Sequence, residues 1–217
     1  SSTDEDETVC DACGEGDVWD DNQIVFCSKC NVAVHQNCYG VTTIPAGDWF
    51  CNVCTSGLEM SSMSCALCPV GGVGAYKPTT KNLVGGWAHL SCVFWIPESF
   101  VEDGVKMEPV DRYTKGHRTR QWNYRKGLTC VICHTKNGSC VRCSLSKCPK
   151  TFHTRCARQQ KWKLTFVDIT PLFDGDTDHL AVQFCDQHTE ATLDLKAVQA
   201  KRKETYFRSL KDGTWND

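Results

Sequence analysis

The segment of residues 27–38, CSKCNVAVHQNC, holds three cysteines and one histidine within twelve residues. His35 stands between the apolar run Val32–Val34 and Cys38. A single histidine beside an apolar run is more often a packed core residue than a metal ligand. The neighbouring cysteines favour metal, because C-x2-C and H-x2-C pairs direct their ligand atoms at a common centre. The cysteine spacing in the rest of the chain decides between the two interpretations.

The chain has 217 residues, of which 17 are cysteine. Disulfides and metal are the two explanations for so many cysteines, and the odd number and the repeated C-x2-C pairs favour metal. The sequence has no signal-like N-terminus and no run of eighteen apolar residues, so we expect neither secretion nor a membrane partner. Because the chain begins with serine, we also expect it to be a segment of a longer protein.

Charge is distributed unevenly along the chain, although the net charge is only −2. Residues 1–60 hold eleven acidic residues against the single base Lys29, a net charge of −10, so the other 157 residues carry +8. Residues 131–167 contain eight Lys or Arg and no acidic residue. Such a division indicates two different partners, one for the acidic part and one for the basic part.

The first cysteine cluster supplies eight ligands in four pairs. They are Cys10 and Cys13, Cys27 and Cys30, His35 and Cys38, and Cys51 and Cys54. Structural zinc takes four Cys or His ligands, so eight ligands fit two ions with none left over. The histidine comes fifth in this order, whereas the first histidine of a RING finger usually comes fourth. We therefore predict that His35 is a zinc ligand and that the cluster is not a RING finger.

Two further clusters follow along the chain. The second fits one ion, with the ligands Cys65, Cys68, His89 and Cys92. The third offers nine candidates for eight positions, namely Cys130, Cys133, Cys140, Cys143, Cys148, His153, Cys156, Cys185 and His188. HTRC at 153–156 repeats the pattern of HQNC at 35–38, so the third cluster is interpreted as a second, diverged finger. Spacing alone leaves the choice between Cys140 and Cys143 open.

The total is twenty ligands, which predicts five zinc ions in three modules. None of the modules is long enough to be stable on a hydrophobic core alone. A structural zinc site contributes about 10–16 kcal/mol of apparent binding energy. Metal is therefore expected to supply most of the folding energy.

The ligand order, the spacing and Trp49, two residues before Cys51, resemble a PHD finger. Between Val9 and His188, the stretches VFCSKCNVAVHQNCYGV, WAHLSCVFWIPE, KMEP and TFHTRCA are similar to the PZP domain (PHD finger, zinc knuckle, extended PHD finger) of the bromodomain-and-PHD-finger and JADE chromatin scaffold families. The resemblance implies a small zinc-stabilised α+β fold. It consists of tandem PHD fingers bridged by a zinc knuckle, with short hairpins and helices and little hydrophobic core.

The resemblance also divides the chain and its ligands. The implied units are a PHD finger at 1–60, a zinc knuckle at 61–110, a basic linker at 111–129, an extended PHD finger at 130–190 and a charged C-terminal helix or tail at 191–217. In the first finger one ion would take Cys10, Cys13, His35 and Cys38, and the other would take Cys27, Cys30, Cys51 and Cys54. In the extended finger the family uses the cysteine five residues before Cys148, which selects Cys143 and leaves Cys140 as a small buried thiol.

The first finger is expected to bind the N-terminal tail of histone H3. Its loop is acidic, and by resemblance an exposed strand edge and a run of backbone carbonyls would hold the tail by β-augmentation. Ala33 stands where finger domains that read trimethyl-lysine carry a Trp, so we expect preference for the unmodified tail, with Trp19 as the one residue that argues otherwise. The predicted histone-binding residues are Glu15, Asp17, Asp20, Asp21, Gln23, Ile24, Val25, Phe26, Pro45, Ala46 and Gly47.

The basic half is expected to bind double-stranded DNA without sequence preference through its phosphates. The first run of candidates is Arg112, Lys115, Arg118, Arg120, Arg125 and Lys126. The second run is Lys136, Arg142, Lys147, Lys150, Arg155, Arg158, Lys161 and Lys163. The alternative interpretation of both runs is a solvated basic surface.

Three functions compete. The first is a nuclear chromatin reader within the scaffold of a histone acetyltransferase complex, as the resemblance implies. The second is a RING-like ubiquitin ligase, and the third is a DNA-binding protein that ignores histones. Ligand order argues against the ligase, and four protein ligands on each zinc leave no position for a reacting water. We therefore expect a chain that is not an enzyme.

Overall fold

The computed structural model describes residues 8–145, 147–168 and 179–191. The strands in these residues are β1 (Ile24–Phe26), β2 (Ala33–His35), β3 (Tyr76–Pro78), β4 (Trp87–His89), β5 (Ser99–Asp103), β6 (Glu108–Arg112), β7 (Val141–Arg142), β8 (Thr151–Phe152), β9 (Leu164–Asp168) and β10 (His179–Gln183). The helices are α1 (Gln36–Tyr39), α2 (Asn52–Thr55), α3 (Leu90–Val93), α4 (Gly116–Lys126) and α5 (Thr154–Gln159), with a 3₁₀ turn at Met60–Ser62. The strands pair in chain order as antiparallel hairpins, β1 with β2 through β9 with β10.

One local unit occurs in each of the three modules: a strand ends at or just before a ligand histidine, and a short helix begins directly after it. His35, His89 and His153 occupy the N-cap positions of α1, α3 and α5 with extended backbone angles. The cysteine three residues later lies one helical turn on, on the side of the helix that faces back to the histidine. The H-x2-C pattern therefore folds into two converging ligands without help from distant residues.

The zinc knuckle packs against both fingers. One hydrophobic cluster joins it to the extended finger and includes Trp95, Trp122, Phe152 and Phe184, all nearly inaccessible to solvent. The indole Nε1 of Trp95 donates a hydrogen bond of 3.2 Å to the carbonyl of Val182. The second cluster joins the first finger to the other side of the knuckle, with the buried residues Val34, Tyr39, Val53, Tyr76 and Leu90. The modules are each small, but they share their cores and pack as one body.

A buried lysine lies where the first finger meets the knuckle. The ammonium of Lys77 donates to the carbonyl of Lys106 at 2.8 Å and to the Glu108 carboxylate at 3.1 Å, and it lies 4.2 Å from the centroid of the Tyr39 ring. Burial lowers the pKa of Lys77 from its ordinary value, although Glu108 opposes that shift. The Tyr39 hydroxyl also donates to the carbonyl of Tyr76 at 2.9 Å, so the interface is held by polar as well as apolar contacts.

The segment 111–129, expected to be a basic linker, contains the eleven-residue helix α4. Trp122 buries its ring in the shared core, and the Arg125 guanidinium donates to the Glu98 carboxylate at 2.6 Å. The side chain of Glu98 is 5% exposed, so this ion pair lies largely out of water. One buried aromatic residue and one buried ion pair therefore attach the basic segment to the knuckle.

These elements confirm the predicted fold class: short hairpins and helices arranged around five Cys/His clusters. The strand expected at residues 23–26 is found at Ile24–Phe26, and the Gln23 carbonyl continues its pairing by accepting from the Gln36 amide at 3.0 Å. The charged helix expected within 191–217 lies outside the described residues except for Ala191. Among the helices that the structure describes, none has the length and apolar character needed to cross a bilayer.

Candidate functional site

The twenty predicted ligands converge in five groups of four, and within each group the ligand atoms lie within 4.8 Å of one another. The first finger holds Cys10, Cys13, His35 and Cys38 in one group and Cys27, Cys30, Cys51 and Cys54 in the other. The knuckle holds Cys65, Cys68, His89 and Cys92. The extended finger holds Cys130, Cys133, His153 and Cys156 in one group and Cys143, Cys148, Cys185 and His188 in the other. Both fingers therefore interleave their ligand pairs.

The distances between ligand atoms fit tetrahedral zinc. A Zn–S bond of about 2.3 Å places two sulfurs on one ion roughly 3.8 Å apart. The Sγ atoms of Cys30 and Cys51 are 3.7 Å apart, and those of Cys148 and Cys185 are 3.9 Å apart. Thiol-to-imidazole distances are equally short, with 3.3 Å from Cys13 Sγ to His35 Nδ1. The chain binds zinc at five sites.

The ligand histidines present Nδ1 to the metal, and the other ring nitrogen shows how each ring is held. His35 Nε2 donates to the carbonyl of Asp17 at 2.7 Å, and His89 Nε2 donates to the carbonyl of Val73 at 2.8 Å. Such bonds fix the tautomer and the ring orientation. His153 Nε2 is buried without a hydrogen-bond partner among the described residues. In the part of the chain that the structure describes, His153 therefore lacks the second anchor at Nε2 that orients the rings of His35 and His89.

The cysteine thiols cannot all ionise without a cation beside them. Burial, together with the charge of the neighbouring Cys27, raises the pKa of Cys51 to about 11. Burial opposes ionisation of Cys27 too, but backbone amides, including the Cys51 N–H at 3.3 Å, hold its pKa at about 6. The Cys27 thiol therefore ionises readily, whereas the pKa values of the other three thiols in its group are raised to about 11. Zinc removes that cost, because a metal deprotonates the thiols that bind it.

Cys140 lies near the extended finger's first group but outside every group of four. It is fully buried and its thiol donates a weak hydrogen bond of 3.6 Å to the Leu128 carbonyl. Cys143 instead lies 3.5 Å from the His188 Nδ1 atom. The geometry therefore places Cys143 with the ligands and Cys140 in the core.

The strand β1 has an unpaired edge within the described residues, since its sheet contains only β1 and β2. The Cys27 amide and the Gln23 carbonyl point to the β2 side. Because antiparallel partners alternate, the main-chain groups of Ile24 and Phe26 point to the opposite, unpaired edge. The Phe26 side chain is 47% exposed. This edge can accept one more extended strand.

The predicted acidic residues divide into two sets around this edge. Asp20 and Asp21 are exposed at the tip of a tight turn closed by two backbone hydrogen bonds between Trp19 and Asn22. The Asp17 side chain is exposed as well, although its carbonyl holds His35. Glu15 accepts a hydrogen bond of 3.1 Å from the Thr165 hydroxyl of the extended finger. Three carboxylates are thus open to a ligand and one contacts another module.

The remaining predicted histone contacts lie on an exposed loop. Pro45, Ala46 and Gly47 all have exposed surfaces, and among the described residues only the chain neighbours of Gly47 approach the position that its Cβ would occupy. Val25 differs, because its side chain is buried and its main-chain groups face Val34 of β2, so the open edge does not present it to a ligand.

The basic residues divide in a similar way. One set contacts other parts of the protein: Arg112 binds the Asn82 carbonyl, Arg118 the Pro97 carbonyl, Arg125 Glu98, Arg142 the Tyr124 hydroxyl, Lys150 Asp186, Arg155 Asp11, and Arg158 the carbonyls of Asp11 and Ala12. The other set is exposed and makes no side-chain hydrogen bond to the described residues: Lys115, Arg120, Lys126, Lys136, Lys147, Lys161 and Lys163.

Sequence reasoning missed the charged contact between the two fingers. Asp11 lies between the ligands Cys10 and Cys13, and its carboxylate accepts from Arg155 Nη1 at 2.6 Å. The side chain of Arg155 is 8% exposed. A carboxylate inside a C-x2-C pair and an arginine inside H-x2-C were the available signals, but their sequence separation of 144 residues gave no reason to pair them.

Five closed zinc sites on short hairpins and shared cores between small modules define the class: a multi-zinc module of tandem PHD-type fingers. The PHD-zinc-finger like domain matches residues 63–188, and the PHD-finger matches residues 21–55. The chain belongs to the PHD-zinc-finger like family, and its three modules form a PZP domain.

Similar proteins agree with this assignment. Protein Jade-1 of Xenopus laevis is 40% identical over 70% of this chain and 17% of its own length. The protein named E3 ubiquitin-protein ligase Jade-2 of Homo sapiens is 37% identical over 86% of this chain and 22% of its own length. The solved zebrafish PHF14-PZP structure has 25% identity and a TM-score of 0.64, covering 94% of this chain and 97% of that one. The chain thus spans about a fifth of the length of these curated relatives. The family match and these similarities make it a chromatin-associated PHD module.

Proposed function

We propose that this chain reads nucleosomes by binding the unmodified N-terminal tail of histone H3 on its first finger and DNA on its basic half. The observation that carries the histone half is the unpaired edge of β1 beside the exposed carboxylates of Asp17, Asp20 and Asp21. An extended basic peptide added to this edge gains main-chain hydrogen bonds and charge-assisted bonds together.

The chemistry of the acidic loop favours one methylation state of the lysine at the fourth position of the H3 tail. A carboxylate accepts hydrogen bonds from an unmodified ammonium, which has three donors, and trimethylation removes all of them. An aromatic cage would compensate for that loss. Ala33 supplies no aromatic wall at the position two residues before His35, and Trp19, 58% exposed, is the one tryptophan beside the acidic turn. The loop therefore favours the unmodified lysine at the fourth position of the tail.

Calorimetry with H3 tail peptides tests the histone half. We expect low-micromolar binding of the unmodified peptide and several-fold weaker binding when its fourth residue is trimethylated. Asp20→Asn should weaken binding of the unmodified peptide. Glu102→Gln is the matched control and should leave that binding unchanged, because Glu102 is an exposed carboxylate on β5 of the knuckle. Tighter binding of the trimethylated peptide, lost in Trp19→Ala, would assign the reading to an aromatic cage instead.

The DNA half of the proposal rests on the exposed basic set. Lys115, Arg120 and Lys126 lie on or beside α4, and Lys136 lies in the loop that follows. Each phosphate that such a residue neutralises releases counterions, so the logarithm of affinity should fall steeply and linearly with that of salt. Fluorescence anisotropy with duplexes of unrelated sequence measures this. Affinity that does not change between low and physiological salt would contradict phosphate binding.

The role of the whole protein is proposed from the family resemblance. We infer that the longer protein is a nuclear scaffold subunit of a histone acetyltransferase complex and that this module is not an enzyme. Every described zinc site has four protein ligands, which completes tetrahedral coordination and is typical of a structural site. The name of the Jade-2 relative keeps ubiquitin ligase activity as the second candidate. Ubiquitin discharge from a loaded conjugating enzyme, stimulated by this module and lost in His35→Ala, would support that candidate.

A further inference from the structure

All three modules meet at one carboxylate, that of Asp11. Its Oδ1 accepts from Arg155 Nη1 of the extended finger at 2.6 Å, and its Oδ2 accepts from the Ala75 amide of the knuckle at 2.7 Å. The Asp11 backbone belongs to the first finger, where its amide donates to the carbonyl of Ala33 on β2 at 2.8 Å. We call Asp11, Ala75, Arg155 and Arg158 the Asp11 junction.

A second guanidinium closes this junction from the side. Arg158 Nη1 donates to the Asp11 carbonyl at 2.6 Å, and Nη2 donates to the Ala12 carbonyl at 2.9 Å. The same group stacks over the Trp95 ring at 5.1 Å, within the core that joins the knuckle to the extended finger. Gly14, with a φ of +89°, permits this approach, since a Cβ there would lie 3.0 Å from Nη2.

These contacts are directional and largely out of water, which distinguishes them from a general electrostatic attraction. Charged hydrogen bonds with short distances are stronger and geometrically more specific than neutral ones. An apolar interface alone can slide, whereas a carboxylate with both oxygens engaged fixes one orientation. Some of the opposite charges that the sequence places in the acidic and the basic parts of the chain therefore pair with each other inside the protein.

We propose that Asp11 is a positioning residue that holds the histone-binding edge of the first finger at a fixed distance and angle from the DNA-binding face. This inference rests on the proposed function. Two weak sites on one rigid body bind a bivalent target such as the nucleosome far more tightly than either site alone, provided that the spacing matches. Asp11 contacts neither the tail nor DNA, so it acts on the nucleosome only through that spacing.

The test uses Asp11→Asn, which keeps the shape of the side chain and removes its charge, and Arg155→Gln, which breaks the same bond from the extended finger. Glu102→Gln is the control that removes an exposed carboxylate. We expect each junction variant to retain five zinc ions and to bind H3 peptide and DNA duplex within about twofold of wild type. Binding to nucleosomes should weaken about tenfold in both, and the double variant should add little further loss.

A second measurement does not depend on any ligand. Residual dipolar couplings of backbone amides should fit one alignment tensor for all three modules in the wild type and in Glu102→Gln. Asp11→Asn and Arg155→Gln should need separate tensors for the first finger and the extended finger. One tensor in both junction variants, or nucleosome affinity within twofold of wild type, would overturn the positioning role. A wild-type protein that binds neither H3 peptide nor DNA would instead refute the proposed function, and the tensors would still decide the role of Asp11.

Discussion

In the first finger, α1 has a single turn and ends at Tyr39, whereas the equivalent helix of the extended finger, α5, runs from Thr154 to Gln159. Both begin directly after a ligand histidine and carry a ligand cysteine three residues later. Gly40 stops α1 in the left-handed region with φ of 77°, and a Cβ there would lie 2.4 Å from the Lys106 backbone. The two additional residues of α5 include Arg158, whose guanidinium reaches the first finger.

The comparison shows that one zinc scaffold supports two uses. In the first finger the metal ligands hold a hairpin whose outer edge is unpaired within the described residues. In the extended finger the ligands hold a helix that is buried against the knuckle and the first finger, and four consecutive residues, Thr154 to Ala157, are inaccessible. Zinc fixes the local chain in both, so the residues between the ligands are free to specify either a binding edge or a packing surface.

Removal of one ligand histidine from each finger should have the largest effect, because a structural zinc site contributes about 10–16 kcal/mol of apparent binding energy. We expect His35→Ala to lose zinc only from the first finger and to unfold that finger, while the core around Trp95 stays intact. His153→Ala should disrupt the knuckle as well, since Phe152 and Cys156 belong to that core.

Metal analysis and amide NMR spectra measure both outcomes. The wild-type protein, purified without chelator, should contain about five zinc ions per chain. A stable value of four or fewer in the wild type would refute the interleaved ligand sets, and equal loss of structure in the two variants would remove the difference between the fingers.

The buried ion pair between Glu98 and Arg125 should contribute more to stability than the exposed pair between Lys29 and Glu59. Glu98→Gln leaves the Arg125 guanidinium partly buried without its counter-charge and should destabilise by about 3 kcal/mol. Glu59→Gln removes the exposed partner of Lys29 in the first finger and should cost far less, because water screens this pair. Urea unfolding of the zinc-loaded protein compares them. Equal costs would mean that burial does not separate the two pairs.

The interface between the first finger and the knuckle should respond to pH through Lys77. Its pKa is lower in the folded protein than in the unfolded chain, so the unfolded chain binds more protons between the two values. Stability should therefore rise with pH as it approaches the ordinary lysine pKa of about 10.4. Lys77→Met should lack this rise, which unfolding curves at pH 8 and pH 10 would detect. A parallel pH dependence in both proteins would assign the effect to another group.

The acidic edge and the basic face should be separable by single substitutions of small effect. Arg120→Ala should weaken DNA binding a few-fold, reduce the salt slope by about one, and leave H3 peptide binding unchanged. Asp20→Asn should weaken H3 peptide binding and leave DNA binding and its salt slope unchanged. Anisotropy and calorimetry on the same two variants provide the comparison. Loss of both activities in either variant would show that the two ligands share one surface.

The sequence by itself determined the metal sites and the fold class. Ligand identity, order and spacing are local properties of the chain, since C-x2-C and H-x2-C pairs converge through a single turn. Eight ligands in four pairs therefore predicted two ions in the first finger, whereas the interleaved pairing came from the family resemblance. The choice of Cys143 over Cys140 also depended on resemblance, because both have ligand spacing, and only the folded chain places Cys143 with Cys148, Cys185 and His188.

The tertiary structure alone decided which charges are available to partners. Arg155 and Arg120 look alike in a basic run, yet one guanidinium pairs with Asp11 out of water and the other is exposed. Charge and composition are sums over the chain, whereas hydrogen bonding depends on which residues meet in space. Contacts across 144 residues of sequence, such as that between Asp11 and Arg155, form only because the shared hydrophobic cores bring the modules together.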